Sequence, residues 1–490
     1  MGRRETYNPR VLFNSYEFLF AFLPLVVLGY FAIARLSALG ANAFLAAASV
    51  FFYAWWKLDF VWILAASVAV NYAFGHKLSR DAAAGKDDRA VLAAGIVFNL
   101  ALLGYFKYAD FFIANLNAAT GASVPLLRVA LPLGISFFTF TQVAYLVDAW
   151  KGKAAEYSAT NYLLFVTFFP HLLAGPIIHH KEMMPQFADA SLKRVDWENM
   201  ARGLALFALG LGKKVLIADP IAPWANAGFL HAQGLTFADA WITMLAYVMQ
   251  LVFDFSGYTD MALGAALMLN IRLPINFDSP YRSADIQEFW RRWHMTLSRF
   301  LRDYIYVPLG GNRCGEARML LLFVVTFALG GFWHGAAWTY VLWGTLHGVA
   351  LVVLHFWRKL GRPMPRALAV LVTFLFVSMA LVIFRAPTLA DALAILSSIW
   401  GLNGFGLAFT VPEWSWIGRA GVPPSELAQG VTTAAILALA LVLTFTPRNS
   451  NQVAQSLRLE APRPRYAYGF LLALALVFVQ NATEFIYFIF

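Results

Sequence analysis

Apolar runs long enough to cross a lipid bilayer recur along almost the whole of this chain. About 20 apolar residues traverse a hydrocarbon core of roughly 30 Å. Clear examples are the ranges 18–36, 61–75, 320–333 and 470–480. Only 13% of the residues are charged and 60% are hydrophobic, whereas about a quarter of the residues in soluble domains are charged. The sequence therefore predicts an all-α polytopic membrane protein with roughly 11 to 13 hydrophobic segments, the shorter ones re-entrant or tilted.

The positive net charge of +10 is concentrated in short loops between these apolar runs. Basic clusters occur in the ranges 77–89, 358–366 and 448–465. The positive-inside rule places such loops on the cytoplasmic side, beside anionic lipid. We therefore expect the lipid bilayer as a partner and no nucleic acid. Because no linker, low-complexity tract or internal repeat divides the chain, a single membrane domain over 1–490 is predicted.

A basic and aromatic stretch, "EFWRRWHMTLSRFLRDYIYVPLGGNR" (288–313), interrupts the apolar pattern. Its arginines are Arg291, Arg292, Arg299, Arg302 and Arg313. Apolar residues at three- and four-residue intervals over 286–307 predict a helix, but one too polar to span lipid. We expect it at the cytoplasmic interface or dipping into a protein-lined cavity. Its arginines either anchor the interface or bind a phosphate-bearing substrate through bidentate contacts.

One histidine, His334, lies deep within the apolar sequence "LLLFVVTFALGGFWHGAAWTYVLWG" (320–344). An ionisable side chain at that depth is costly, so a function or a strong partner is the default expectation. Gly330, Gly331 and Gly335 leave room for close approach to the backbone. Alternatively, His334 is a neutral histidine bonded across a helix interface, and the glycines serve helix packing.

The remaining histidines give weaker signals. They are His76, His171, His179, His180, His231, His294, His347 and His355. The last two follow one helical stripe, which is typical of structural positions. Imidazole binds zinc, but the spacing of the 171–180 group matches no familiar ligand pattern, and the single cysteine, Cys314, excludes a site built from several thiolates. No metal site is predicted.

Acyl transfer would give two of these histidines a role. A histidine in a largely dry tunnel stays uncharged and can accept a proton. A second polar group must orient the reactants or stabilise the oxyanion. His294 and His334 would form such a pair if the interfacial helix folds back under the apolar segment that contains His334.

Long motifs resemble a known family. "FDFSGYTDMALGAALMLNIRLPINFDSPYRSADIQEFWRRWHMTLSRFLRDYIYVPLGGNR" and then "LGGFWHGAAWTYVLWGTLHG" resemble the membrane-bound O-acyltransferases, most closely the membrane subunit of bacterial alginate O-acetyltransferase. Shorter matching pieces occur along the rest of the chain, in the family's order: "LFNSYEFLFAFLPL", "FYAWWKLDF", "LGYFKYADF", "LPLGISFFTFTQVAYLVD", "FFPHLLAGPI" and "GKKVLIAD" before the long motifs, and "FIYFIF" after them. The resemblance covers almost the whole chain.

The resemblance implies a ring of transmembrane helices around a funnel or tunnel. The two signature positions of the family fall on His294 in "RRWH" and His334 in "FWHG". His334 matches the essential histidine of the family. Because other branches carry Asn or Asp at the first position, His294 is expected to orient or polarise. The candidate donor-side binding residues are Arg291, Arg292, Trp293 and Trp333.

The resemblance also implies an activity. A cytoplasmic thioester, acetyl-CoA or an acyl-carrier protein, would donate an acetyl group for O-acetylation of an exported polysaccharide such as alginate, with no bound cofactor. A periplasmic acetyltransferase would be the partner protein, and the bacterial cytoplasmic (inner) membrane the location. Two alternatives stay open: D-alanyl transfer to teichoic acid, and a proton-coupled transporter whose histidines relay protons.

Overall fold

The computed structural model describes residues 12–155, 158–405, 426–457, 462–479 and 485. Within these ranges the regular elements are helices, and no strand occurs in them. Among the described residues, seven helices are long and apolar enough to cross a membrane: Ala38–Trp56, Leu58–Ala83, Arg89–Thr120, Phe237–Met268, Glu316–His334, Trp338–Lys359 and Arg366–Arg385. Four shorter apolar helices accompany them: Phe18–Ala34, Leu389–Ile399, Ala434–Thr444 and Ala467–Phe478. The predicted all-α polytopic fold is confirmed, and the two sets together reach the lower end of the expected range.

The chain divides into two compact units. The first is drawn from residues 1–209, 258–274 and 454–470. Its helices are α1 (Leu23–Ala34), α2 (Ala38–Trp56), α3 (Val61–Ala83), α4 (Arg89–Leu103), α5 (Ala109–Thr120), α6 (Ile135–Trp150), α7 (Ala159–Thr167), α8 (Phe169–Leu172), α9 (His180–Ala188) and most of α10 (Trp197–Gly212), with π-helical turns at Phe18–Phe22 and Gly104–Tyr108.

Buried amides tie the spans of the first unit together. Asn71 on α3 donates from Nδ2 to Oδ1 of Asn99 on α4, at 3.2 Å. Gln142 on α6 donates from Nε2 to the Ser67 hydroxyl on α3, at 2.9 Å. All four side chains are buried. Lipid tails are as apolar as leucine side chains, so the hydrophobic effect does not draw helices together inside a bilayer. Interhelical hydrogen bonds of this kind help to hold them together instead.

The second unit contains all the predicted site residues. It is drawn from residues 210–257, 275–453 and 471–490. Its helices are α11 (Asp219–Leu230), α12 (Phe237–Met268), α13 (Ile286–Arg292), α14 (Met295–Leu301), α15 (Glu316–His334), α16 (Trp338–Lys359), α17 (Arg366–Arg385), α18 (Leu389–Ile399), α19 (Glu426–Thr444), α20 (Ser450–Gln455) and α21 (Pro462–Phe478), with π-helical turns at Lys213–Ala218 and Arg302–Tyr306. The boundary between the units falls inside α10, α12, α20 and α21. The prediction of one domain over 1–490 stays a prediction.

The spans α15 and α16 form a closely packed antiparallel hairpin. Gly344 lies against the backbone of Phe327, and a methyl group there would come within 3.0 Å of the Gly331 nitrogen. In turn, a methyl group on Gly331 would overlap the carbonyl oxygen of Tyr340. At the open end, the Glu316 carboxylate accepts from His355 Nε2 at 2.8 Å and from Lys359. The glycine at 331 therefore serves helix packing, as one of the two interpretations of the sequence expected.

The basic stretch does not form one continuous helix. The structure has two short helices, α13 and α14, with Trp293 and His294 between them. His294 adopts the left-handed conformation, with φ 44° and ψ 51°, which costs a non-glycine residue about 1–3 kcal/mol. The helical spacing of the apolar residues continues across the break, so periodicity alone predicted a single helix there. A broken helix is tolerated at membrane depth only where protein surrounds it.

A buried triad of charges holds α12 to the helix before it. Lys214 Nζ lies 2.8 Å from Asp219 Oδ1 and 2.6 Å from Asp254 Oδ1. All three side chains are buried. Removing one member of such a buried group leaves an uncompensated charge, which costs about 3–5 kcal/mol. The triad therefore fixes the segment of α12 that includes Phe255, a residue of the candidate site.

Candidate active site

His294 is enclosed by aromatic side chains at the break between α13 and α14. Only 1% of its surface is exposed. The Phe255 ring from α12 lies 5.0 Å from the imidazole, centroid to centroid, and Trp333 lies 6.3 Å away. Burial lowers the pKa of His294 from its ordinary value to about 3. The ring is therefore uncharged at neutral pH and has a lone pair with which to accept a hydrogen bond.

His334 is the last residue of the span α15. Its imidazole is 6% exposed and meets three aromatic rings: Trp333 at 5.0 Å, Trp343 at 5.3 Å and Phe384 at 5.3 Å between centroids. Gly335 follows in an extended conformation and begins the turn into α16. The glycine is required there because the Tyr340 ring occupies the space of a side chain. The histidine is thus fixed at the end of a span by the packing of the hairpin.

The two histidines, 40 residues apart in sequence, lie beside each other. Their ring centroids are 6.3 Å apart, and the ring planes are inclined by 64°. That separation lets one small group placed between the rings contact both. Two imidazoles placed in this way can act on a hydroxyl and on a carbonyl. The fold-back of the basic stretch expected from the sequence is thus present. The two imidazoles and the rings of Phe255, Trp333, Trp343 and Phe384 around them form one buried cluster, called the chamber below.

The two tryptophans predicted beside the histidines occupy different places. Trp333 contacts both imidazoles and forms part of the chamber wall. Trp293 lies in the layer behind, stacked on Phe289 with centroids 5.8 Å apart and packed against Phe277 at 5.0 Å. Trp333 therefore lies against both imidazoles, whereas Trp293 packs behind them at the helix break, and a role of either in substrate binding stays a prediction.

The two arginines predicted for donor binding also differ. Arg292 is half-buried, 3.0 Å from the Glu288 carboxylate and 3.5 Å from that of Asp278. Arg291 is exposed, and the described part of the chain offers it no ion pair or hydrogen bond. The arrangement leaves Arg291 available to an anionic ligand and commits Arg292 to the packing of α13. Their role in donor binding stays a prediction.

A hydrogen bond that the sequence did not suggest links α13 to α16. Trp290 donates from Nε1 to His347 Nδ1 at 3.2 Å. His347 is fully buried, and its ring lies 4.8 Å from that of Trp343, which in turn contacts His334. The sequence stripe predicted a structural role for His347. The structure agrees, because its hydrogen bond fixes the helix that leads to His294.

The histidines of the first unit form no second chamber of this kind. His171 Nε2 lies 2.9 Å from the Phe165 carbonyl oxygen. His179 Nδ1 lies 3.8 Å from an Asp148 carboxylate oxygen, and His180 packs on the Tyr145 ring at 5.3 Å. Among the described residues, no group of three or more histidine, cysteine or acidic side chains is arranged to hold a metal ion. We therefore assign no metal ligands.

Taken together, the fold and chamber define a multi-pass membrane protein with a buried histidine pair. The model of the membrane-bound O-acyltransferase family matches residues 88–390. The peptidoglycan O-acetyltransferase of Helicobacter pylori is 41% identical, with 98% of each chain covered. The probable alginate O-acetylase of Pseudomonas aeruginosa is also 41% identical, over 81% of this chain and 76% of its own. The teichoic acid D-alanyltransferase of Streptococcus thermophilus is 29% identical over 51% of this chain.

The chain therefore belongs to the membrane-bound O-acyltransferase family and is an acyltransferase. The resemblance expected from the "RRWH" and "FWHG" motifs is confirmed. Both motif histidines fall inside the matched range and line the chamber described above.

Proposed function

We propose that this enzyme transfers an acetyl group from a cytoplasmic thioester to hydroxyl groups of an exported polysaccharide. The observation that carries the proposal is the His294–His334 pair, two buried imidazoles with centroids 6.3 Å apart. Acyl transfer needs a neutral base and a second group that orients the reactants, held together in a site that excludes water. The aromatic walls of the chamber supply that exclusion.

His334 acts as the general base in this proposal. It removes the proton of the acceptor hydroxyl as the oxygen attacks the thioester carbonyl. His294 orients one reactant, a role suited to a ring whose backbone is fixed at a helix break. Aromatic packing surrounds both rings, and a misplacement of about 1 Å can cost 10²-fold in rate. The close glycine contacts of the α15–α16 hairpin therefore help to hold His334 in the position that catalysis requires.

The thioester approaches from the side of the basic loops. Arg358 lies 2.8 Å from the Asp285 carboxylate at the beginning of α13. At the other end of α13, Arg292 contacts Asp278, which accepts a hydrogen bond from Asn449 at 2.8 Å. Both attachments lie beside basic loops, which the positive-inside rule places in the cytoplasm. Arg291 on the exposed side of α13 is the proposed contact for donor phosphate. The donor, acetyl-CoA or an acyl-carrier thioester, is a substrate, and no resident cofactor is required.

The acceptor is proposed from the names of the relatives. One acts on peptidoglycan and others are named for alginate, and both polymers are exported glycans that carry free hydroxyl groups. We place the enzyme in the bacterial inner membrane, with a periplasmic acetyltransferase partner that completes delivery to the polymer. The relative named for D-alanyl transfer matches about half of the chain, so D-alanylation is the second candidate.

The experiment compares membranes containing wild-type enzyme, His334→Ala or His231→Ala. His231 is exposed at the end of α11 and serves as the matched control. Each membrane is supplied with labelled acetyl-CoA, an acetyl-loaded carrier or a D-alanyl-loaded carrier, and ester-linked label is measured on alginate, on peptidoglycan and on teichoic acid. We expect acetyl transfer by wild-type and His231→Ala membranes and none by His334→Ala membranes of equal protein content.

Near-normal acetylation by His334→Ala would remove the base from the proposal. Transfer of D-alanine in preference to acetyl would establish the second candidate instead.

A further inference from the structure

The helix that follows His294 is capped by a residue from elsewhere in the chain. The first N–H groups of a helix have no partner within it, and a side chain at the N-cap position normally accepts one of them. His294 occupies the N-cap position of α14 and makes no such capping bond. Instead, Asn276 Oδ1 accepts from the Thr296 nitrogen at 3.1 Å and from the Thr296 hydroxyl at 2.8 Å. The main-chain oxygen of Asn276 accepts from the Met295 nitrogen at 3.0 Å.

These bonds fix which way the Asn276 amide points. A backbone N–H can only donate, so the atom that faces Thr296 is the oxygen. The NH₂ group must point the other way. Asn276 is 1% exposed, and Nδ2 has no hydrogen-bond partner among the described residues. A buried donor without an acceptor costs about 1–3 kcal/mol, so an acceptor is expected in the working enzyme.

The position of this amide ties it to the chamber. Its partner residues, Met295 and Thr296, follow His294 directly. Phe277, the residue after Asn276, packs on Phe255 with ring centroids 4.9 Å apart. Phe255 in turn covers the His294 imidazole. The Asn276 side chain and main chain are therefore hydrogen-bonded to the two residues that follow His294.

We propose that Asn276 Nδ2 donates a hydrogen bond to the carbonyl oxygen of the acyl group that is being transferred. This inference rests on the proposed acyl transfer and adds a donor for the negative charge that the reaction creates. The capping bonds hold the amide in one orientation before substrate arrives. Preorganised donors of this kind need no rearrangement at the moment of reaction.

The reaction then balances as follows. The acceptor oxygen bonds to the carbonyl carbon of the thioester, and its proton passes to His334. The carbonyl electron pair moves onto oxygen, which accepts the hydrogen bond from Asn276. When this oxyanion collapses, the carbon–sulfur bond breaks, and the leaving thiolate takes the proton back from His334. The products are an ester and a free thiol.

The decisive variant is Asn276→Asp in the full-length, detergent-purified enzyme with labelled acetyl thioester. A carboxylate keeps an oxygen that accepts from Thr296 but removes the N–H donors. We expect kcat to fall by about 10²–10³-fold, the usual effect of losing one oxyanion donor, while KM for the thioester changes little. Asn276→Ser removes the same donors without adding a charge and should lower kcat similarly.

Thr296→Val is the matched control, because it loses the hydroxyl bond and retains the backbone N–H and the amide. We expect it to keep at least about a fifth of the wild-type kcat, since a single neutral hydrogen bond contributes about 1 kcal/mol. Thermal unfolding and gel filtration verify that each variant is folded. A folded Asn276→Asp or Asn276→Ser enzyme with kcat above one tenth of the wild-type value would overturn the inference. Wild-type enzyme inactive with every thioester would instead refute the proposed function.

Discussion

Gly344 on α16 offers a direct test of how closely the site depends on hairpin packing. A methyl carbon at this position would lie 2.9 Å from the Phe327 carbonyl carbon and 3.0 Å from the Gly331 nitrogen, against an ordinary contact of 3.4 Å or more. Both neighbours are backbone atoms and cannot rotate away. The methyl carbon would also overlap the Phe327 carbonyl oxygen, the nearest atom of all. In Gly344→Ala the two helices would therefore have to separate by about 1 Å or more, which forfeits about half of the dispersion energy of the contacts along the interface.

The expected cost is about 1–3 kcal/mol of stability, the usual range for an overpacked interior. The separation also displaces Trp343, whose ring lies 5.3 Å from that of His334. Because a 1 Å misplacement can cost about 10²-fold in rate, we expect a loss of activity of about tenfold or more in Gly344→Ala. Thermal unfolding in detergent and acetyl transfer by the purified enzyme measure the two effects.

Gly315→Ala is the matched control. Gly315 precedes α15 in the same hairpin, has φ −56°, and no atom lies within 4 Å of an added methyl group. We expect this variant to stay within about 0.5 kcal/mol of the wild type and to keep full activity. If Gly344→Ala unfolds and reacts like the wild type, the hairpin does not position His334 in the way inferred from its backbone contacts.

Three further outcomes are expected. Arg291→Gln should raise KM for the thioester with little change in stability, whereas Arg292→Gln should lower the melting temperature, since only Arg292 is held by ion pairs; equal effects on KM would contradict this division. His347→Phe and Trp290→Phe should each lower activity, and the double variant no further than the worse single, because both remove one hydrogen bond; additive losses would argue against a shared role. Burial lowers the pKa of His294 to about 3, so its stabilising contribution is complete above pH 6.5 and is lost as the pH falls toward 3. Between pH 5.5 and 4.5, wild-type stability should fall by about 1 kcal/mol more than that of His294→Asn; parallel pH curves would show that the ring is hydrated.

The spans could be predicted from the sequence because lipid imposes one rule on every segment. The apolar run at 320–333 and the helix Glu316–His334 agree closely, since a lipid-facing backbone must satisfy its hydrogen bonds within the helix. The motif histidines, His294 and His334, could also be identified from the sequence. Their neighbours, such as Phe255 and Phe384, come from helices remote in the sequence. No local sequence pattern predicts which apolar helix face packs against which other.

The break at His294 could not be predicted, for a physical reason. Apolar spacing continues through Trp293 and His294, and a positive φ is uncommon for any residue other than glycine. The cap that permits the break comes from Asn276, about 20 residues earlier in the chain. A capping residue is recognised in sequence by its place directly before a helix, so a cap supplied from a distant loop leaves no such signal. The Trp290–His347 hydrogen bond could not be predicted either, because its two residues lie on helices that are distant in the sequence.

The turn between α15 and α16 has a consequence for how the enzyme is made. Only Gly335, Ala336 and Ala337 separate the two spans. A link so short spans at most about 14 Å from His334 to Trp338, so the ends of the two spans stay side by side once both are in the membrane. The aromatic surroundings of His334 come partly from the second span, and the buried imidazole is thereby sheltered from the moment of insertion.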